Sequence, residues 1–595
     1  MEAVPHAVDP QRVAQHGGAV MRLVDEIFPL VEGFYVDLHK NPELSHQEHR
    51  TAGAVAEWLM RAGFEVETGI GGTGVVGVLR NGEGPTVLLR GDMDALPLAE
   101  KTGLPYASTA RGTDDDGNDV PVMHACGHDV HTACLVGAAD LLADARDRWN
   151  GTLIIVAQPA EETLDGAAAM LNDGLYTRFG RPDVALAQHV GPQPAGMVAH
   201  RAGTILGTAA TIRIRVFGTG GDASQPHTAI DPVLITANII TRLQAIVARE
   251  INPSEMAVVT VGMVRAGGTG SLIPEDAFLE VHTRALSEAV AVRLHSAIDR
   301  IVRAEAAASG APREPEITVV KETGATRNDP GATREVASAH RAYFGDAYVV
   351  EFPEPFTSSE DFGLLGLPGD RAPIPYVYWF IGATPHDVWE AAPGETPYER
   401  LSEVPNGHSP YFAPEREPTL RVGIAALTIG ALTYLGRTEG IAPTGAQAAM
   451  PYGAPVEPSA PAPGPFAEPY PGPAPTEAVP APVPEPYTGS GPVPVPAGST
   501  GTAAPPDEDD QPAESTAYTD MDALLNDDGD MPVPPAPPQG PPIAAPPPQG
   551  PPIAAPPPPP GAEPYSTEYH PDDPEPLDEP PYAPYDSAQE PPYRL

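Results

Sequence analysis

The chain has 595 residues, among them 78 prolines, and carries a formal net charge of -46 at pH 7. Residues 441–595 contain 47 of these prolines, 23 acidic residues and a single basic one, Arg594. This composition offers too little apolar surface to offset the entropy of ordering, so we expect 439–595 to be a disordered acidic tail. The acidity of the remainder gives no electrostatic support for nucleic acid or an anionic membrane as partner, which leaves small molecules.

Cys126 and Cys134 are the only cysteines in the chain. They exclude a disulfide framework and indicate a reducing compartment, so we expect a cytoplasmic protein. Residues 1–10 lack the basic and apolar regions of a secretory signal. No uninterrupted apolar run reaches the length needed to cross a bilayer, and we therefore expect a soluble protein.

The first part of the chain alternates between helical and extended patterns. Apolar residues recur at helical spacing over 12–38 and, after a proline-containing break, up to residue 59. Short β-branched runs follow at 75–79, 86–89 and 153–157, and a helical stretch at 132–143 lies between the last two. This order predicts an α/β fold whose mixed sheet is covered by helices on both faces. In such sheets the site lies beyond the carboxyl ends of the strands.

The pattern changes near Gly207 to the order strand, helix, two strands and helix. The segments are 211–217, 232–249, 257–264, 277–283 and 288–308. They predict a small α+β, ferredoxin-like module of one sheet with two helices on one face. We interpret this module as an insertion because motifs like those of the first domain resume after it. The predicted division is a catalytic domain of 12–206 and 321–438, an inserted domain of 207–320 and the tail of 439–595.

The tail repeats the sequence P-P-Q-G-P-P-I-A-A-P at 537–546 and 547–556. This composition is typical of polyproline II and predicts a solvated spacer. The alternative is a strip that docks in the aromatic groove of a protein partner.

The densest candidate for metal binding is M-H-A-C-G-H-D-V-H at 123–131. Cys126 and His128 flank a glycine there, and a tight turn can direct both at one ion. Thiolate and imidazole suit zinc and similar divalent metals. Taken alone, Cys126 would equally fit a small buried apolar side chain, and the histidines an ordinary polar turn.

Two adjacent carboxylates, Glu161 and Glu162, follow the apolar run of 153–157. Neighbouring residues on an extended chain point in opposite directions, so one carboxylate can bind metal while the other faces a water as general base. A solvated acidic turn is the alternative.

Further candidates lie at the ends of other segments. His189 ends the apolar run of 185–190, and His408 lies in the loop of 406–410. Asp92 and Asp94 directly follow the strand of 86–89, where they could orient metal-binding imidazoles.

Six motifs in this order resemble one known family. They are L-H-K-N-P-E-L-S at 38–45, D-M-D-A-L-P at 92–97, M-H-A-C-G-H-D-V-H at 123–131, Q-P-A-E-E at 158–162, S-E-D-F at 359–362 and H-S-P at 408–410. Over residues 12–437 the chain resembles the aminoacylase, hippurate-hydrolase and auxin-conjugate-hydrolase branch of the metallopeptidase family 20 amidohydrolases.

The resemblance implies two divalent metal ions per subunit, with zinc or manganese as first candidates and cobalt or nickel as further ones. Cys126 would bridge the two ions, and Glu161 would be the general base. The other metal ligands would be His128, Glu162, His189 and His408. The inserted module would be a lid and dimerisation domain, so a homodimer is implied.

Two positions in the inserted module depart from the family. Relatives usually carry a histidine that reaches into the partner subunit's site to stabilise the developing oxyanion, and this chain has Asp222 there. Ser271 stands where an asparagine is usual. A carboxylate cannot donate that hydrogen bond unless it is protonated. Three explanations stay open: His227 takes over, the substrate supplies its own cation, or the enzyme is slow. His227 also fits an ordinary surface residue. Arg284 is a candidate for a substrate carboxylate or, alternatively, a structural ion-pair partner.

We therefore expect a metal-dependent amidohydrolase that cleaves N-acyl amino acids or related amides, such as hippurate-type substrates, to a carboxylate and an amine. One alternative is a dipeptidase or carboxypeptidase of the same mechanism. Another is a non-catalytic, metal-stabilised dimer whose tail recruits partners, which Asp222 and Ser271 keep open. The apparent ligand set together with Glu161 favours the enzyme.

Overall fold

The computed structural model describes residues 6–438, so the proline-rich tail predicted for 439–595 lies outside the described residues. The helices are α1 (Pro10–Val20), α2 (Val24–Lys40), α3 (His49–Arg61), α4 (His128–Asp144), α5 (Gly166–Asn172), α6 (Leu175–Phe179), α7 (Pro232–Leu243), α8 (Ala245–Glu250), α9 (Glu288–Ala308), α10 (Pro330–Phe344), α11 (His386–Ala391), α12 (Pro397–Leu401) and α13 (Arg416–Leu435).

The strands are β1 (Glu65–Ile70), β2 (Gly74–Asn81), β3 (Thr86–Asp92), β4 (Arg111–Thr113), β5 (Asp119–Pro121), β6 (Gly151–Gln158), β7 (Val184–Pro194), β8 (Val198–His200), β9 (Gly203–Leu206), β10 (Thr208–Phe217), β11 (Gly221–Asp222), β12 (Ala257–Ala266), β13 (Leu272–Ile273), β14 (Asp276–Ala285), β15 (Glu316–Thr323), β16 (Thr326–Asn328), β17 (Val349–Glu351) and β18 (Tyr376–Thr384).

A large sheet has the strand order β1-β2-β6-β3-β7-β18-β8-β17. Its central strands β6, β3, β7 and β18 are parallel, whereas β1 and β2 are antiparallel to their neighbours. The prediction of a mixed sheet in an α/β architecture is therefore confirmed. The carboxyl ends of the parallel strands meet at one edge, and that edge carries the segments that follow β3 and β6.

Two apolar cores cover the two faces of the large sheet. One contains residues of α1 to α4, α10 and α13, and the other contains residues of α5, α6 and the 3-10 turn Phe362–Gly366. Helix α4 lies deep in the first core, where it packs on α2 and α13. Gly423 permits this close packing, since a Cβ on it would lie 2.5 Å from Cys134 Sγ. Because α4 is held in the core, the residues at its N-terminus, which include His128, are held in place as well.

Helix α13 is long and apolar enough to cross a membrane by length and composition, although charged residues interrupt its apolar run. The helix has 20 residues and a mean hydropathy of 1.3 over its most apolar window, values that would allow a membrane span by length and composition alone. However, 89% of that window is buried inside the described residues. Helix α13 packs there against α1, α4, α10 and strands of the large sheet, as the core helix of a globular domain does.

A separate small sheet has the order β12-β14-β10-β15, with all neighbours antiparallel. Helices α7 and α9 both pack on it and enclose an apolar core. Along β14 the side chains alternate between buried and half-buried, so every second residue points away from that core. Strand β15 was not predicted, because most of its residues are exposed and lack an apolar period. Strand β15 extends past residue 320, which was the predicted end of the inserted domain.

Other boundaries also differ from the sequence expectation. The helix predicted over 12–38 consists of α1 and α2, separated by the 3-10 turn Met21–Leu23. The helix predicted over 232–249 is divided into α7 and α8 at Gln244. Strand β1 was missed because, as an edge strand, it is exposed along most of its length. None of these differences affects the elements that carry the candidate site.

Candidate metal centre and substrate cavity

The segment between Cys126 and His128 turns sharply at the start of α4. Gly127 has φ of 79°, in the left-handed region that glycine tolerates best, and a Cβ on it would lie 2.5 Å from Val190 Cγ2. This turn directs both flanking side chains towards His189 on β7. The donor atoms of Cys126, His128 and His189 lie within 4.8 Å of one another.

His128 has one nitrogen in use and one free. Its Nδ1 donates to Asp94 Oδ1 at 3.1 Å, which leaves a lone pair on Nε2. Nε2 is buried and has no hydrogen-bond partner among residues 6–438. It lies 3.8 Å from Glu161 Oε2 and 3.9 Å from Glu162 Oε1. Glu162 Oε1 is likewise buried without a hydrogen-bond partner in the described part of the chain.

The same arrangement continues at His189 and His408. His189 Nδ1 donates to the Val190 carbonyl at 2.6 Å, so its Nε2 is directed at Cys126 Sγ, 3.5 Å away. His408 Nε2 lies 3.2 Å from Glu162 Oε2. His408 also has φ of 67°, which is uncommon for a residue other than glycine and often marks a functional position.

These donors fit divalent metal ions. Two groups, Cys126 with His128 and His189 and Cys126 with Glu162 and His408, share the cysteine. Thiolate, imidazole and carboxylate are the usual ligands of zinc and related metals. Lone pairs that are buried without a donor are costly unless a cation satisfies them. The unpartnered atoms of His128 and Glu162 therefore support the predicted metal centre.

Asp94 supports two of these side chains at once. Besides His128, it accepts a hydrogen bond from Ser45 Oγ at 2.7 Å and from the Glu162 backbone N–H at 2.9 Å. Burial opposes ionisation of Asp94, but the hydrogen bond from His128 holds its pKa below the usual value. Asp94 is thus placed to orient the imidazole and the neighbouring backbone together.

Asp92 makes a different set of contacts. His131 Nδ1 donates to it at 2.5 Å, and the Arg90 guanidinium donates to its other oxygen at 2.5 Å. His131 Nε2 accepts from the Val190 N–H at 2.9 Å, so both nitrogens of this imidazole are in use. Burial opposes ionisation of Asp92, yet Arg90 and the imidazoles of His128 and His131 hold its pKa well below the usual value. His131 thus serves structure rather than ligation.

Sequence reasoning missed the buried ion cluster around Arg90. This side chain is 1% exposed and donates to Glu360 at 2.7 Å and to Asp361 at 3.3 Å, in addition to Asp92. Tyr378 also donates to Glu360 at 2.8 Å. The motif at 359–362 resembles the family, but its sequence gives these residues no role. A signal was present, since an arginine inside a buried apolar strand requires carboxylate partners.

Glu161 lies between this cluster and the metal-binding groups. Glu161 is 5% exposed, and one of its oxygens lies within 4.8 Å of a carboxylate oxygen of Glu360 and of one of Asp361. Burial, followed by the charges of Glu360 and Glu162, raises the pKa of Glu161 well above the usual value. A carboxylate in such surroundings accepts a proton readily, as a general base must.

A cavity of about 580 Å³ opens between the metal-binding groups and the small sheet. Cys126, Glu161, Glu162, His189 and His408 form one end of it. The apolar part of its wall is formed by Leu206, Phe356 and Phe380, among others.

Arg284, on β14, lines the end of the cavity formed by the small sheet. It donates to the Thr357 carbonyl and to Ser359 Oγ, both at 3.1 Å, and forms no ion pair with any described carboxylate. Of its two candidate roles, that of a structural ion-pair partner therefore has no support among residues 6–438.

Asp222, His227 and Ser271 do not line this cavity. Asp222 is exposed on β11 and pairs with Leu272, and the Ala223 N–H donates to the Ser271 carbonyl at 3.1 Å. His227 is exposed in the 3-10 turn Pro226–Thr228. The structure therefore groups these positions at one tip of the small-sheet module, outside the cavity of their own chain.

Known proteins are similar to this chain in sequence and in fold. The thermostable carboxypeptidase 2 of Saccharolobus solfataricus is 36% identical over 353 residues, covering 58% of this chain and 84% of that protein. The hippurate hydrolase of Campylobacter jejuni is 37% identical over 352 residues, covering 58% of this chain and 88% of that protein.

Among solved structures, the YXEP protein of Bacillus subtilis, described as a dinuclear metal binding peptidase from the M20 family, superposes with a TM-score of 0.53. It is 26% identical, and the match covers 69% of this chain and 100% of that one. The model of the peptidase family M20/M25/M40 matches residues 88–411, which carry all the proposed metal-binding groups. The chain belongs to the peptidase family M20/M25/M40 of metal-binding hydrolases.

Proposed function

We propose that the chain is a two-metal amidohydrolase that cleaves N-acyl amino acids to a carboxylate and an amino acid. The observation that carries this proposal is the convergence of five metal-binding side chains and Glu161 beside a cavity that also contains Arg284. Arg284 forms no ion pair among residues 6–438. The similarity to a protein named hippurate hydrolase supports the substrate class, because hippurate is an N-acyl glycine.

The proposed roles follow the geometry. Cys126 belongs to both ligand groups and is the proposed bridging ligand. His128 and His189 complete one site, and Glu162 and His408 the other. Zinc and manganese are the proposed metals, with cobalt and nickel as further candidates. When bound, such a pair of ions lowers the pKa of a water molecule and polarises the scissile carbonyl.

Glu161 is the proposed general base. Its carboxylate faces the free Nε2 of His128 at 3.8 Å and opens into the cavity, where a water molecule and an amide can meet. It takes the proton of the attacking water and later donates it to the departing amide nitrogen. Proton transfer of this kind contributes roughly 10²- to 10⁴-fold to the rate.

Arg284 is proposed to hold the α-carboxylate of the amino acid. A guanidinium binds a carboxylate through two parallel hydrogen bonds, and Arg284 has no competing described carboxylate within ion-pair distance. With the carboxylate held there, the acyl group faces the apolar wall that contains Phe356 and Phe380. Substrate binding thus uses both ends of the cavity.

We propose that 12–206 and 321–438 form the catalytic domain and that 207–320 serve as a lid and dimerisation domain. Asp222 and His227 lie outside the cavity of their own chain, which suits contact with substrate in the cavity of a partner subunit. The proposal also includes a homodimer in the cytoplasm and a protein partner that binds the tail.

Hydrolysis of N-acetyl and N-benzoyl amino acids by the metal-loaded protein tests this function. We expect turnover that Glu161→Gln reduces by roughly 10²- to 10⁴-fold while both metals stay bound. Glu83→Gln, at an exposed position, is the matched control and should have no effect. Metal-loaded Glu161→Gln with near-normal turnover would remove the assignment of the base.

A carboxypeptidase of the same mechanism is the second candidate, favoured by the relative of that name. Unblocked dipeptides added to the same panel separate the two functions. Faster cleavage of dipeptides than of N-acyl amino acids would favour the carboxypeptidase. Absence of all turnover with two metals bound per chain would favour the non-catalytic homologue.

A further inference from the structure

Lys321 provides a second basic group at the small-sheet end of the cavity. It lies on β15 and, like Arg284, is among the residues that line the cavity. The proposed function gives it no role. In a chain with three lysines, its position in the cavity wall requires an explanation.

The register of the small sheet places Lys321 and Arg284 on one face. Lys321 pairs with Thr211 of β10, and on the other side of β10 Thr211 pairs with His282 of β14. Directly paired residues of antiparallel strands point to the same face, and His282 and Arg284 are two residues apart on one strand. All four side chains line the cavity. The register shift of β15 immediately beside Lys321 is typical of a bulge that redirects a side chain.

The separation of the two cations suits a small ligand. Lys321 and Arg284 lie on the two strands that flank β10 and are offset by two residues along the strands. Their Cα atoms are therefore roughly 12 Å apart. Lys321 is exposed, but both side chains are long and line one cavity, so their charged ends can approach groups on one molecule that are a few bonds apart.

The charge of Glu161 reaches Arg284, but both cations remain available to a ligand. Neither Lys321 nor Arg284 forms an ion pair with a carboxylate in the described part of the chain. Glu360, which also lines the cavity, is already paired with Arg90. His282 lies between the two cations, and burial followed by the charge of Arg284 lowers its pKa, so it adds no third charge near neutral pH.

We infer that the cavity selects N-acyl derivatives of acidic amino acids, with Arg284 holding the α-carboxylate and Lys321 the side-chain carboxylate. Both cations lie on the same wall, the small sheet, so both anionic groups belong to the same half of the substrate. Phe356 and Phe380 line the same cavity and offer apolar surface for the acyl half. This inference rests on the proposed function and deepens it, since it names the amino acid class.

N-acetyl-L-glutamate and N-acetyl-L-glutamine provide the test, because they share their shape and differ by one charge. We expect the wild type to favour the glutamate compound and Lys321→Met to lose roughly 10- to 100-fold in kcat/KM on it, mainly through KM, since a hydrogen bond to a charged group contributes about 1.5–3 kcal/mol. The glutamine compound should change little. Lys321→Arg should retain most of the preference, and the exposed Lys40→Met is the matched control.

Binding of the same two compounds to metal-loaded Glu161→Gln, measured by calorimetry, separates this inference from the proposed function. Equal affinity for both compounds, or a preference for the glutamate compound that survives Lys321→Met, would overturn the inference. The two proposals can also separate. If Lys321→Met abolishes the binding preference and the wild type turns over no N-acyl amino acid, the subsite is supported and the hydrolase is overturned.

Discussion

Asp94 is the residue whose replacement tests the proposed metal centre most directly. Its Oδ1 accepts from His128 Nδ1 at 3.1 Å, and its Oδ2 accepts from Ser45 Oγ at 2.7 Å and from the Glu162 N–H at 2.9 Å. One carboxylate thus fixes the imidazole of one proposed ligand and the backbone of another. Loss of such outer contacts typically costs roughly 10- to 100-fold in metal affinity.

Asp94→Asn is the appropriate change because it preserves the volume of the side chain. The asparagine Oδ1 can still accept from His128, but its NH₂ group then faces the Glu162 N–H, donor against donor. The Ser45 hydroxyl can rotate to accept, whereas the backbone amide cannot. We therefore expect the Kd for metal to rise by roughly 10- to 100-fold, with the larger effect at the site that contains Glu162.

Competition with a chromophoric chelator measures this Kd for the wild type, Asp94→Asn and the exposed control Asp346→Asn. Chemical denaturation of the metal-free proteins shows whether the variant is folded. An Asp94→Asn protein that is folded and binds metal within about threefold of the wild type would refute the reasoning, because the expected loss begins at about tenfold.

Two predictions concern stability. Arg90 is 1% exposed and pairs with three carboxylates, so Arg90→Met should lower the free energy of unfolding in urea by roughly 3–5 kcal/mol, against under about 1 kcal/mol for the surface control Arg80→Met. Similar losses in both would contradict the role of the cluster. Burial alone would lower the pKa of His39, but Asp129 and Glu100 raise it to about 9. The folded pKa exceeds the ordinary 6.5, so protonated His39 contributes about 3 kcal/mol to the free energy of unfolding. This contribution is complete below about pH 6.5 and is lost as the pH rises through about 9. The free energy of unfolding of His39→Gln should not show this fall between about pH 6.5 and 9. The same pH dependence in the variant and the wild type would exclude the effect.

The sequence alone predicted the metal-binding segments because their signals are local. Cys126 and His128 flank one glycine, and Glu161 and Glu162 are adjacent at the end of a strand. The parallel strands β3 and β6 and helix α9 were likewise predicted, since period and composition within a few residues determine them. The chemical class of the site followed from the residue types.

Only the tertiary structure decided how the distant segments meet. Arg90 and Glu360 are 270 positions apart in the chain, and nothing in their spacing indicates the ion pair. The choice between ligand and structural histidine also depended on contacts, because His131 uses both nitrogens whereas His128 keeps one free. Asp222 lies outside the cavity of its own chain, which the sequence alone did not indicate. Sequence period sets which face a residue occupies within its element, but the packing of elements sets which atoms surround it.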